Sequence, residues 1–183
     1  MLAFPSTYSV GITSLGYQVV WASLARRSDL DVRRLFTDQG DPPHRHCDLF
    51  GLSLSWELDG PVLLDLLEQH RIPLWSSERG NDDPLVFGGG PVLTANPEPL
   101  APFFDVVLLG DGELLLPAFI DALQEVRGAP RQQQLKTWHR SRGSTCLGSM
   151  NPATTLKGSC KGSIRSTALC RHASANKPGG ATR

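Results

Sequence analysis

The sequence predicts an α/β protein, a doubly wound sandwich on a parallel sheet of about five strands, and three observations lead there. Short apolar runs such as Leu85–Phe87 and Val106–Leu109 stop abruptly at glycine, as strands buried on both faces of a parallel sheet do. Stretches with helical apolar spacing separate such runs. Loops rich in glycine or hydroxyl side chains follow them, at the strand ends where open α/β sheets place ligands.

With 183 residues the chain has the length of one ordinary domain and can bury a sizeable core. Its formal net charge of zero conceals a split. Residues 1–130 hold all 18 acidic residues, 8 arginines and no lysine, whereas residues 131–183 hold 4 lysines, 6 arginines and no acid. Such asymmetry marks two segments of different character, a domain over 1–128 and a basic tail over 129–183. No basic n-region with an apolar core opens the chain, and no apolar run approaches the ~18 residues that span a bilayer. The expectation is a cytoplasmic protein with no membrane partner.

Met1–Pro5 reads as the first strand, begun so abruptly that the true start is expected upstream. Ser6–Gly11 is the loop after it, and Ser14 caps a helix with apolar residues at Leu15, Val19, Ala22 and Leu24–Ala25. Tyr8, Tyr17 and Trp21 read as packing residues. Val32–Phe36 is the second strand. The loop that follows carries His44, His46 and Cys47, but zinc needs four ligands and no others lie at usable spacing, so it reads as solvated. Leu49–Ser53 is the third strand, and its end offers the hydroxyls of Ser53 and Ser55. Strand-end satisfaction and helix capping account for the same hydroxyls without a ligand. Asp59 caps the next helix, Pro61 sits in its first turn, and Val62, Leu63, Leu66 and Leu67 form its core stripe. His70 at its end reads as a partner of the helix dipole. Ile72–Trp75 reads as another strand, followed by a polar loop over Ser76–Pro84.

Between Leu85–Phe87 and Val106–Leu109, the glycines Gly88, Gly89 and Gly90 let backbone approach a flat or anionic ligand, and Pro91 stiffens the exit. Pro97 opens a short helix. A second loop, Gly110, Asp111, Gly112 and Glu113, precedes a last helix with Leu116, Phe119, Ile120 and Leu123 inward. Glu113 favours that helix N-terminus with or without a ligand. The alternation gives a flavodoxin-like, Rossmann-type sheet in the order 2-1-3-4-5, with the loops at Gly11, Ser53, Gly88 and Gly110 along one edge.

GGGPVLTANPEPL followed by FFDVVLLGDGE resembles the second half of the cobalamin-binding-type domain that precedes the radical SAM barrel in many bacterial enzymes. The shared pattern is a strand, Gly89–Pro91 with Gly88 before it, the pair Pro97–Glu98, Asp105 before a strand, and Gly110–Glu113. SLGYQVV, LFGLSLSWEL and RIPLWSSERGNDDPLVFGGGP are similar to one branch of that family, so the resemblance runs from about Phe4 to about Val126. It implies a cofactor site at Ser53, Ser55, Gly88, Gly89, Gly90, Pro91, Gly110, Asp111, Gly112 and Glu113, with Ser53 or Ser55 bonding the nucleotide base of cobalamin. It also implies a radical SAM barrel as partner, in cis or in trans, and a shortened loop around His44.

Two motifs are missing. The C-x-x-x-C-x-x-C run that holds the [4Fe–4S] cluster and leaves one iron for S-adenosylmethionine occurs nowhere in the chain, so cluster and S-adenosylmethionine belong to the parent family. D-x-H-x-x-G, whose histidine ligates cobalt, is also missing, so any cobalamin is expected without a histidine ligand from this domain. No catalytic or metal-binding set stands out. Three readings follow: a cobalamin-binding-like module without its barrel, a docking domain that has lost the cofactor, and a flavodoxin-like binder of flavin or phosphate through PSTYSVGIT.

Residues 131–183 contain only Leu135, Leu147, Leu156, Ile164 and Leu169 from the Leu/Ile/Val/Phe set, show no helical or strand period, and read as disordered. A basic tail for nucleic acid or an acidic partner is one reading. A frameshift near codon 130 is preferred, and nucleic acid is not expected. Cys146, Cys160 and Cys170, spaced by 14 and 10 positions, match no common site.

Overall fold

The computed structural model describes residues 1–41 and 47–141. Five strands, β1 (Leu2–Ala3), β2 (Arg34–Leu35), β3 (Leu49–Ser53), β4 (Leu85–Gly89) and β5 (Val106–Val107), form one sheet in the order β2-β1-β3-β4-β5. Every pairing is parallel. Helices α1 (Tyr8–Gly11), α2 (Leu15–Ala25), α3 (Asp59–Gln69), α4 (Pro91–Ala95), α5 (Gly112–Glu125) and α6 (Arg131–Ser141) complete it. The fold is the doubly wound α/β sandwich that the alternation predicts.

Two apolar layers hold it together, because successive strand residues point to opposite faces. Leu2, Leu85, Phe87 and Val106 face Tyr17 and Leu24 of α2 and Leu116, Phe119, Ile120 and Leu123 of α5. Ala3, Phe50, Leu52, Val86 and Val107 face Leu63, Leu66 and Leu67 of α3 and Leu93 of α4. Each large side chain buried this way contributes roughly 1.5–3 kcal/mol. Tyr17 is fully buried, meets Phe4 and Phe36 edge to face at 5.3 and 5.5 Å, and donates its hydroxyl to Leu2 O at 3.1 Å. Burial pushes its pKa well above the ordinary value.

Several local expectations change. Ile72–Trp75 is not a strand, because β3 and β4 pair directly with each other along their full length and leave no place between them. Ile72 instead closes α3: its N–H reaches Leu67 O, and Arg71, at φ 57°, donates to Glu68 O. This is the hydrogen-bond pattern of a helix ended by a left-handed residue, here without glycine. Pro91, not Pro97, opens the helix after β4, since Gly90 at φ 112° turns the chain at once. The segment after Pro97 is a turn and a single 3-10 turn, Ala101–Phe103. Residues of the first loop form the one-turn helix α1, and Ser14 stands before α2 without a side-chain capping bond. Asp59 lies inside the first turn of α3, not before it. The pairing of β5 stops at Val107, two residues short of Leu109. His70 packs its ring 5.4 Å from Phe50, and burial lowers its pKa, so it favours the neutral form rather than acting as a cationic dipole partner.

The largest difference lies beyond Gly128. Where the sequence shows no helical period, α6 runs from Arg131 to Ser141, and Leu135 packs against the α2–α5 layer. Arg131 is buried, and its Nη2 donates to Asp105 Oδ2 at 2.5 Å. Arg79 Nη1 donates to the same oxygen at 3.0 Å, and the N–H of Val86 does so at 2.8 Å. Arg79 also donates to the carbonyls of Pro73, Leu74 and Phe103, and Arg131 to those of Gly80, Asp83 and Pro84. Burial pushes the Arg79 pKa down, opposed first by the Asp105 carboxylate. The triad lies at the N-terminal edge of the sheet, beneath β4 and β5. The tail from residue 142 on, with Cys146, Cys160 and Cys170, lies outside the described residues, as do His44 and His46. No helix among the described residues is long and apolar enough to cross a membrane.

Candidate strand-end site

Parallel strands deliver their C-terminal ends to one edge, and the sequence-derived site residues all lie along it. Ser53 ends β3 and is paired in register with Gly89. Gly88 and Gly89 belong to β4 itself, so the glycine loop is shorter than its sequence suggests. Leu54 N–H donates to Gly89 O at 2.9 Å, which ties the end of β3 to β4, and Gly110 N–H to Thr94 Oγ1 at 3.3 Å, which ties the turn after β5 to α4. Asp111 precedes α5 without a side-chain capping bond, Gly112 begins the helix, and Glu113 lies exposed in its first turn.

The three glycines do different things. A side chain at Gly88 would begin 2.5 Å from Phe104 Cε1 and 2.7 Å from Leu93 Cδ1, so this glycine makes room for core side chains. One at Gly90 would begin 2.3 Å from Leu54 O, so the backbones of two strand ends close on each other there. Only Gly89 is open, with its nearest neighbour, Leu108 O, at 3.6 Å. Pro91 is exposed at the start of α4.

The loop after β3 is held from beneath. Asp59, buried, accepts hydrogen bonds from Ser55 N–H at 2.8 Å and Trp56 N–H at 2.9 Å, both to Oδ2, and donates its own N–H to Trp56 O. With its backbone fixed this way, the loop turns Trp56 and Leu58 outward. Both Ser53 and Ser55 are half-buried. In the loop after β1, the Tyr8 N–H that could meet an anion is taken by Asp38 Oδ1 at 2.7 Å, and the Thr7 and Ser9 hydroxyls bond each other at 3.1 Å.

Charge is segregated along the strand axis. Among the described residues, the loops that follow the strands contain no lysine or arginine. They and the start of α5 expose Asp38, Glu57, Asp111 and Glu113, none of them in an ion pair with another described residue. Arginines gather toward the opposite edge, where Arg27 grips Asp29 and Asp121, and Arg33 grips Asp31. Arg27, together with Gln124, holds the Asp29 carboxyl far below the usual range. Two clefts, of about 710 and 790 Å³, also lie at that opposite edge, beside Met1, Cys47 and Asp48 and away from the strand-end site. No group of three or more His, Cys, Asp or Glu able to hold a metal occurs among the described residues.

Sequence reasoning overlooked two features. Arg79, Asp105 and Arg131 form one buried unit, though each charged pair is separated by 26 positions and no periodicity announces it. Apolar residues are also left in water at the strand ends: Leu58 is 85% exposed, Leu15 77%, Leu114 70%, Trp56 68% and Val10 48%. The signal available was the apolar character of WEL and ELLL directly after strands, where polar loop residues are expected.

A family model described as radical SAM proteins, N-terminal, matches residues 17–145 and so continues through α6, past Gly128. The chain is 26% identical over 112 residues to an uncharacterized protein of Methanocaldococcus jannaschii. That match takes in 61% of this chain and 23% of the relative, so the chain spans about a quarter of the relative's length. No solved structure matches.

Proposed function

The chain belongs to the family of radical SAM N-terminal domains, and from that premise we propose that it is a non-catalytic module set against a radical SAM barrel, with the strand-end edge of its sheet as the working face. One observation carries this reading. Beneath β4 and β5 the N-terminal edge carries buried, hydrogen-bonded charges, while the C-terminal edge exposes apolar side chains among carboxylates. The iron–sulfur cluster and S-adenosylmethionine that the family implies would belong to the barrel, since this chain has no C-x-x-x-C-x-x-C run.

Cobalamin is the cofactor that the flavodoxin-like topology and the resemblance bring forward. Ser53, Ser55 and the backbone at Gly89 are the groups that would hold it. The rest of the edge does not fit an enclosed cofactor. Phe104 and Leu93 fill the space beside Gly88, Leu54 closes on Gly90, and no described basic residue stands ready for the phosphate of the nucleotide tail. The same lack of a cation, with Asp38 already on the Tyr8 N–H, argues against flavin mononucleotide or another phosphate ligand. The docking reading is therefore preferred over cofactor binding.

Titration of the full chain with hydroxocobalamin, followed by absorption, tests this choice. The expected result is an unchanged spectrum. A change that disappears in Gly89→Trp would overturn it and assign cobalamin to the open position beside Ser53.

A further inference from the structure

We infer that the niche around Asp105 is a guanidinium-binding site built by the sheet edge itself, with Arg131 as its tethered occupant, so that α6 docks and undocks as a latch. The inference does not depend on the working face proposed above. The niche is assembled without α6. Val86 N–H and Arg79 Nη1 both donate to Asp105 Oδ2 and fix the carboxylate. Gly80 N–H donates to Asp83 Oδ2 at 2.7 Å, which braces the loop before β4 on itself. Into this setting Arg131 places its Nη1, donating to the carbonyls of Gly80, Asp83 and Pro84 at 3.3, 3.0 and 3.2 Å, and its Nη2, donating to Asp105 Oδ2. One carboxylate and three carbonyls around a planar cation match the fixed fork of donors that a guanidinium carries.

Three observations make the occupant releasable. Arg131 Nε is buried and finds no acceptor among the described residues, and an unpaired buried donor weakens the hold. Among the described side chains of α6, Arg131 alone is buried, and Leu135, half-buried, supplies the apolar contact with the core. Just before the helix, Gly128 stands at φ 82° with nothing within 4 Å of where a side chain would begin, a joint free of packing. The start of α6 also lines both clefts of this edge, through Pro130 and Gln134 in one and Arg131 and Gln134 in the other. Undocking therefore takes a wall from both, and occupancy of the niche is coupled to their shape.

The test uses the full 183-residue chain and methylguanidinium at millimolar, non-denaturing concentrations. Tetramethylammonium and urea at the same concentrations control for charge and for denaturing action. Arg131→Ala empties the niche, and nuclear magnetic resonance should then show saturable binding that moves the Val86 amide signal. That binding should be at least about 10-fold tighter than in the wild type, where the tethered arginine must first be displaced. In the wild type, methylguanidinium should speed amide exchange in α6 several-fold and leave β3 and β4 protected. A variant that binds methylguanidinium no better than the wild type does, or responds equally to the controls, overturns the site. A variant that no longer folds shows that the niche is not built without α6 and overturns it as well. Exchange in α6 that ignores the ligand in the wild type overturns the latch. Dimers of the wild type that Arg131→Ala abolishes place Arg131 of a second copy in the niche and overturn the assignment of the occupant.

Discussion

The two edges of the sheet solve opposite problems. At the N-terminal edge, charged groups are buried and all their donors but Arg131 Nε are directed: Asp105 Oδ2 receives two guanidiniums and a backbone N–H, and six carbonyls around them are taken as well. At the C-terminal edge, apolar groups are exposed and four carboxylates pair with no described cation. Burying charge and exposing hydrocarbon are both unfavourable unless something compensates. At the first edge the compensation is visible within the molecule. At the second no such compensation is visible among the described residues, and this asymmetry is what favours the strand-end edge as the working face proposed above.

The sharpest way to break the comparison is to remove Asp105. Asp105→Ala leaves two buried guanidiniums facing each other without a hydrogen-bonded counter-charge, a change that costs about 3–5 kcal/mol. Urea denaturation should show it as a large fall in midpoint. Arg131→Ala should cost less, about 1–3 kcal/mol, because Arg79 still neutralises Asp105. Its distinctive effect is local: α6 loses its anchor, so its amides should exchange hydrogen much faster while those of β3 and β4 stay protected. Uniform loss of protection across sheet and helix would mean that the triad holds the whole domain and not chiefly the docking of α6.

The glycine loop tests the same contrast on a smaller scale. Gly88→Ala places a methyl 2.5 Å from the Phe104 ring and should cost about 1–3 kcal/mol through overpacking. Gly90→Ala should cost at least as much, since it meets a backbone carbonyl and needs a left-handed φ of 112°. Gly89→Ala, with 3.6 Å of clearance, should change thermal stability by less than about 1 kcal/mol. Equal costs at all three would erase the distinction between packing glycines and the open one.

These glycines also mark how far the sequence could be read. Apolar runs ended by glycine announced the strands, and right-handed crossovers then left one sensible order, so the sheet was legible. Ile72–Trp75 misled because four apolar or strand-compatible residues say nothing about whether a ladder partner is free. Asp105 was visible as part of a motif, but not its two arginines, because a buried ion triad is a long-range contact with no local pattern. For the same reason the domain was ended at Gly128: the anchor of α6 is one arginine, and composition counts it as basic tail. At the strand ends Ser53, Ser55 and the glycines were legible as positions, but which of them face core and which face solvent depends on Phe104, Leu93 and Leu54.

A smaller effect is expected at His70. Burial lowers its pKa in the folded state below the ordinary 6.5, so the unfolded chain binds the proton first as pH falls. The stability contributed by the neutral ring is present above that value and declines as pH drops from about 7 toward 5. His70→Gln should flatten this part of the stability–pH curve without changing it above pH 7.5. An unchanged slope would move the dependence to other groups.

The smallest expected effect is the most informative about the working edge. Trp56→Ser and Leu58→Ser remove side chains that lie largely in water, so little burial is lost and no cavity is made. Surface changes of this kind stay within about 0.5 kcal/mol. The backbone beneath is held by Asp59 and does not depend on either side chain. Thermal unfolding of the isolated chain should therefore be nearly unaffected, in contrast to the several kcal/mol expected at Asp105. A large loss would mean that Trp56 and Leu58 pack in solution and that the edge closes on itself. A negligible loss would leave hydrocarbon in water with no benefit to the isolated fold, the outcome expected if the strand-end edge is the working face proposed above.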